Sequence, residues 1–201
     1  LQSGQGAATV LTTDIGRIID RIILYATSDG TYVLTGDGHA DPLARYFMRN
    51  IFFNDDAQLR DISAETAVMG VYGPRAAKLL AAAGFPEVDV PLHHWQQATI
   101  GGAAAYLHRT DPIAGGGYFV TGSAPDREAI RAALLAAGLT PIDEAAYDYL
   151  RIEAGVPRFG RELTLDYIPL EADLWADVSF SKGCYIGQEI IARMESRGKL
   201  A

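Results

Sequence analysis

The sequence predicts an α+β fold in which antiparallel sheets are covered by helices and one such unit is duplicated along the chain. Three observations carry that prediction. Strand-like runs come in pairs joined by tight turns, at Ser28-Asp29-Gly30 and Gly115-Gly116-Gly117, and hairpins give antiparallel pairing where a doubly wound sheet would need long crossovers. Each pair is followed by a segment with helical spacing. Finally, Tyr32-Val33-Leu34-Thr35-Gly36 recurs as Tyr118-Phe119-Val120-Thr121-Gly122, with Tyr, Thr and Gly in the same places and the same local architecture around them.

In the first copy, Ala7–Leu11 and Ile18–Ala26 read as strands, and Tyr32–Thr35 reads as the strand that returns. Asp41-Pro42 then reads as a helix start, Asp as N-cap and Pro at the first helical position. Leu43, Tyr46 and Phe47 give that helix an apolar face. Between the copies lie a short strand, Ala67–Tyr72, and a helix opened by Gly73-Pro74, carrying Leu79 and Leu80 and closed by Gly84. In the second copy Ile100–His108 is the expected strand and Tyr118–Thr121 its return. Ser123, with Asp126 three residues on, is the expected cap of a helix that turns Ile130 and Leu134 inward and stops at Gly138. A last helix is expected from Asp143, as N-cap, to Ala154, with Gly155 as its stop.

Composition narrows the function. Seventeen basic residues against 25 acidic ones give a net charge of −8. That disfavours sequence-independent nucleic-acid binding, which needs clustered Lys and Arg to displace counterions. No apolar run approaches the ~20 residues that span a bilayer, and no signal peptide is visible, so the cytoplasm is the expected location. A single cysteine, Cys184, excludes an internal disulfide and any metal site built from this chain's cysteines alone. The four histidines (His39, His93, His94, His108) show no metal-ligand spacing, and no metal site is expected.

Three residues stand out chemically. Glu153 follows Tyr149 and Leu150 at i+4 and i+3, so the pattern Ala146, Tyr149, Leu150 aims it inward, in a last helical turn that disfavours negative charge. It is either a structural partner of Arg151, Arg158 or Arg161, or a carboxylate that accepts hydrogen bonds from a ligand with adjacent N–H donors. Asp20 sits in the strand Ile18-Ile19-Asp20-Arg21-Ile22-Ile23, on the same face as Ile18 and Ile22. It is either paired with Arg17 or Arg21 or buried for a purpose. Cys184 lies between Gly183 and Gly187, near Lys182, whose charge would favour the thiolate. The alternative is a small buried hydrophobe.

The segment Lys182-Gly183-Cys184-Tyr185-Ile186-Gly187-Gln188-Glu189 resembles the signature of YgfZ-type proteins, a branch of the folate-binding glycine-cleavage T-protein (aminomethyltransferase-like) superfamily. Leu150-Arg151-Ile152-Glu153-Ala154-Gly155 looks like that superfamily's Leu-Arg-x-Glu-Ala-Gly motif. Gly73-Pro74-Arg75-Ala76 and Gly16-Arg17-Ile18-Ile19-Asp20 match further motifs in the same order. The resemblance implies a T-protein-like folate-binding domain of two interlocked subdomains, here roughly 1–66 and 67–140, with a closing segment 141–201. Members of the superfamily carry a preceding N-terminal stretch and a small C-terminal β-barrel. This sequence opens on Leu1 and is expected to lack both.

By the same resemblance, tetrahydrofolate or a derivative is the cofactor, and Glu153 falls on the glutamate that holds the pterin. Asp20 falls on the aspartate near the reacting nitrogen. Lys182, Tyr185 and Gln188 are further cofactor-binding candidates, and Cys184 is a catalytic thiol. Two departures from T-proteins point to the iron–sulfur-assembly branch: Thr35 where an asparagine is usual, and Tyr185-Ile186-Gly187-Gln188-Glu189 where Phe-x-Gly-Arg-Glu is usual. The expected function is therefore a tetrahydrofolate-binding accessory protein for iron–sulfur cluster assembly or repair, with iron–sulfur proteins or assembly factors as partners. The alternative is a folate-dependent aminomethyltransferase or demethylase, a one-carbon transferase with Asp20 steering proton transfer.

Overall fold

The computed structural model describes residues 1–197. Among these residues seven strands form two antiparallel sheets. The first has the order β1(Gly6–Thr12)-β2(Ile18–Ala26)-β3(Thr31–Leu34). The second has the order β4(Thr66–Tyr72)-β7(Gly116–Ser123)-β6(Ala103–Ile113)-β5(Trp95–Ile100). In both, three sequence-adjacent strands form a meander followed by a helix: α1(Ala40–Met48) after β3, and α3(Arg127–Ala136) after β7. That is the repeated order the matching pentapeptides announced. Helices α2(Ala76–Ala83), α4(Glu144–Glu153) and α5(Gln188–Arg197) complete the set.

The second sheet holds the larger core. Its inward residues Leu107, Val120, Ala105 and Ile100 pack with Leu80 of α2 and Ile130 and Leu134 of α3, all nearly inaccessible to water. In the first sheet β2 is central and buried along both faces, with Ile18, Ile22, Ile23 and Tyr25 all inside. One face is covered from the chain's far end, where Leu163 and Leu174 pack on Ile18. The two sheets are joined through Gly4. Its N–H donates to the carbonyl of Ala26, which also accepts from Trp95 Nε1, and its own carbonyl accepts from the Trp95 backbone. No helix among the described residues is long and apolar enough to cross a membrane.

Helix ends follow the expected chemistry at three places. Asp143 caps α4 by accepting from the N–H of Ala146 at 2.8 Å. Gly84 and Gly138 take positive φ, and the next residue donates back into the last turn of α2 and α3. Three expectations are corrected. Helix α1 starts one residue before Asp41, after His39, so Asp41 lies in the first turn and pairs with Arg45 instead of capping. Ser123 does not cap α3, which begins after Asp126; its hydroxyl bonds the Asp126 carboxylate and closes the turn before the helix. The expected strand Ile100–His108 is two strands, because Gly101 and Gly102, both at positive φ, form a hairpin turn within it. Trp95–Ile100 is thereby a strand the sequence reading missed. So was α5, which follows Gly187.

Candidate functional site

Between the two sheets lies a cavity of about 120 Å³. Asp20 forms its floor and is inaccessible to water. The strand pattern explains why: residues 18, 20 and 22 of β2 share a face, and that face is covered. Neither arginine offered by the sequence pairs with Asp20. Its Oδ2 accepts from the backbone N–H of Gly36 at 3.0 Å and from Nδ1 of His39 at 2.9 Å. Its Oδ1 has no partner. A fully buried carboxylate oxygen left bare is costly, and such atoms call for an explanation.

Arg21, the next residue, also lines the cavity but turns from Asp20 to bond Asp177 at 2.6 Å and Asp111 at 2.8 Å. Burial works against its charge, but these two carboxylates outweigh it and raise its pKa. The cavity walls are aromatic. Tyr72 and Tyr147 lie with ring centroids 5.6 Å apart, and Phe119 and Phe159 add further rings. Burial, reinforced by the neighbouring Tyr147, drives the Tyr72 phenol well above its ordinary range. Arg158 closes one side: it bonds Asp37 at 2.8 Å, Asp148 at 3.3 Å and Glu144, and it lies over the Tyr147 ring. The hydrogen bonds to Glu144 and Asp37 lift its pKa further. Of the cavity's carboxylates, Asp111 is thus held by Arg21 and Asp37 by Arg158. Of the three, only Asp20 has an oxygen that is both buried and without a partner among the described residues. Such a site favours a flat ligand that brings N–H donors.

The other sequence candidates lie elsewhere. Glu153 does not point inward. It is exposed, as is Tyr149, whereas Arg151 is the buried residue of α4. The helix face is set by Tyr147, Asp148 and Arg151, and at 3.6 residues per turn Glu153 lies roughly 160° around the helix from the buried Arg151. The expected inner face of Ala146, Tyr149 and Leu150 left out Arg151, which was offered only as a partner for Glu153. Arg151 is instead the interior charge, donating to Asp148 and Glu162, each at 2.7 Å. With Arg158 also engaged, the two nearest arginines offered to Glu153 are taken.

Cys184 is exposed, so it is no buried hydrophobe. Its segment docks on the β1–β2 turn, where Thr12 Oγ1 donates to the carbonyl of Ile186 at 2.7 Å. Gly187 fits there because a Cβ would meet Thr12 Oγ1 and the Thr13 carbonyl at 2.7 Å. Lys182 Nζ stands over the Tyr185 ring at 5.0 Å, and Gln188 Oε1 accepts from the Tyr185 N–H at 3.4 Å. Burial, with Glu195 adding to it, raises the Tyr185 phenol. None of Lys182, Cys184, Tyr185, Gln188 or Glu153 lines the Asp20 cavity. Among the described residues no group of three or more His, Cys, Asp and Glu is placed to hold a metal ion. What the sequence reading missed is His39, Tyr72, Tyr147 and Arg158, and the one available signal was His39 following the Gly36-Asp37-Gly38 turn.

Against known proteins, residues 1–182 match the model of the GCVT N-terminal domain. The chain belongs to the GCVT N-terminal domain family. An aminomethyltransferase of Herpetosiphon aurantiacus is 32% identical over 197 residues, covering 97% of this chain and 54% of its own length. A chloroplastic protein of Arabidopsis thaliana, provisionally named a transferase, is 28% identical over 195 residues, covering 96% of this chain and 45% of its own. Among solved structures, the glycine cleavage system aminomethyltransferase T from Bartonella henselae superposes with a TM-score of 0.79 at 22% identity, covering 98% of this chain and 54% of that one. This GCVT N-terminal domain therefore has the T-protein fold and spans about half the length of the relatives it matches. The Cys184 segment lies beyond the matched residues, and no relative named here is described as an iron–sulfur assembly protein.

Proposed function

We propose that this GCVT N-terminal domain is the folate-binding part of a folate-dependent one-carbon transferase of the aminomethyltransferase type. The observation that carries the reading is the bare Oδ1 of Asp20, a buried acceptor beneath aromatic walls. A reduced pterin is flat and bears adjacent N–H donors, so its chemistry suits that oxygen and those rings. The cavity is small beside the roughly 300–1,000 Å³ of typical ligand sites. It holds the reacting end of a folate, and the rest of the cofactor lies outside it. Tetrahydrofolate supplies the nitrogen that receives a one-carbon unit. The chain's part is to orient that end against Asp20, exclude water through Phe159 and Tyr147, and accept a hydrogen bond at Oδ1. Glu153 stays a proposed pterin-holding carboxylate on the outer face of α4, where a ligand reaching past the cavity, or a further part of the protein, could meet it. The test is calorimetric titration of anaerobic tetrahydrofolate into wild type and Asp20→Asn. Binding weakened about tenfold or more by the substitution supports the reading, and equal binding by both proteins defeats it.

A second reading, an accessory role in iron–sulfur cluster assembly, is supported by one observation: Cys184 is exposed. It predicts that Cys184→Ser abolishes the protein's effect on cluster-containing clients while folate binding is unchanged. Transfer of an aminomethyl group by the Cys184→Ser protein at the wild-type rate would favour the first reading.

A further inference from the structure

We infer that His39 is the positioning residue of Asp20, fixing which of its two oxygens faces a ligand. Burying a carboxylate costs several kcal/mol unless donors replace the lost water. Two donors do so here, and both converge on Oδ2: the Gly36 N–H at 3.0 Å and His39 Nδ1 at 2.9 Å. His39 is the only side chain of the two. Because both donors use one oxygen, the other is left bare by construction, and the carboxyl group cannot rotate without breaking both bonds.

The imidazole is itself held. Its ring stacks on Phe159, with centroids 4.1 Å apart and planes 20° from parallel. Its backbone is fixed by its N–H donating to the Gly36 carbonyl and its carbonyl accepting from Leu43 in the first turn of α1. With Nδ1 facing a carboxylate oxygen at 2.9 Å, the pairing requires that Nδ1 carry the proton. Gly36 must be glycine for the arrangement to exist, since a Cβ there would come 2.3 Å from the Phe159 Cβ and 3.1 Å from Asp20 Oδ1.

The consequence for binding rests on the folate reading above, whereas the pairing itself does not, so two measurements separate them. The first needs no ligand: long-range proton–nitrogen correlation of the histidine rings in the full chain. His39 should carry its proton on Nδ1, and its resonance should shift in Asp20→Asn. A His39 ring with a bare Nδ1 overturns the inference. The second is tetrahydrofolate affinity of His39→Leu beside His39→Asn, whose amide nitrogen stands close to where Nδ1 stands. Leucine should weaken binding about tenfold or more, and asparagine should restore it to within about threefold of wild type. Equal binding by wild type and His39→Leu overturns the inference even with the folate reading intact. If wild type binds no folate, that reading fails and the ring spectra alone decide the pairing. If His39→Leu does not fold, His39→Asn and the spectra decide it.

Discussion

Phe159 packs its ring on His39 and its Cβ against the backbone of Gly36, so this wall of the cavity and the residues that bond Asp20 are in direct contact. Gly36→Ala should therefore destabilise the domain by about 1–3 kcal/mol, the usual cost of overpacking. The effect should be smaller in a Phe159→Ala background, because the atoms the new methyl meets first are those of Phe159. Urea unfolding of the two single variants and the double variant measures that coupling. Additive losses would mean that the two residues do not press on one another.

Acid should weaken the fold through its buried histidines. Burial holds His108 neutral, its pKa pushed down to about 4, and burial lowers His93 in the same direction. The unfolded chain takes up a proton near pH 6.5 that the folded His108 refuses until about pH 4. Stability is therefore full above about pH 6.5 and falls as pH drops toward 4, by roughly 3 kcal/mol for this one group. His108→Phe, which keeps a ring against Tyr25, should flatten the dependence measured by denaturant unfolding across that range. An unchanged slope would exonerate His108.

Glu153 separates a binding role from a structural one. It is exposed at the end of α4, and the nearby Arg151 and Arg158 are engaged with other carboxylates. Glu153→Ala should therefore change stability by no more than about 0.5 kcal/mol. If Glu153 holds the pterin, the same substitution weakens tetrahydrofolate binding at least about tenfold, read by calorimetry on the full-length protein. Intact affinity would remove Glu153 from the site.

The strands of the first sheet, the meander–helix repeat and the helix stops at Gly84, Gly138 and Gly155 were legible because each rests on local chemistry: turn residues, strand alternation and the positive φ of glycine. The site was legible only where its residues break a local rule. Asp20 among isoleucines did so, and the structure buries it. His39, Tyr72, Tyr147 and Arg158 break none, and they meet only because two sheets and the segment after α4 converge. The face of α4 was misread for a related reason. Its interior residue is Arg151, a charge that can be buried because Asp148 and Glu162 complete it, and Glu162 lies outside the helix where no periodicity reveals it. Gly101-Gly102 was a readable turn signal, passed over in favour of one longer apolar run.

Cys184 supplies the sharpest contrast with Asp20, because it is open to solvent and lines no part of the cavity. The segment around it is held by backbone and by the close fit of Gly187 at the β1–β2 turn, not by the thiol. Cys184→Ser should accordingly leave unfolding free energy within about 0.5 kcal/mol of wild type and leave folate affinity unchanged. In the native protein the thiol should react with a disulfide reagent in one fast phase, stoichiometrically and without denaturant. Slow, denaturant-dependent labelling would mean that the segment is covered in solution, which would remove the one observation supporting a role for Cys184 toward a partner.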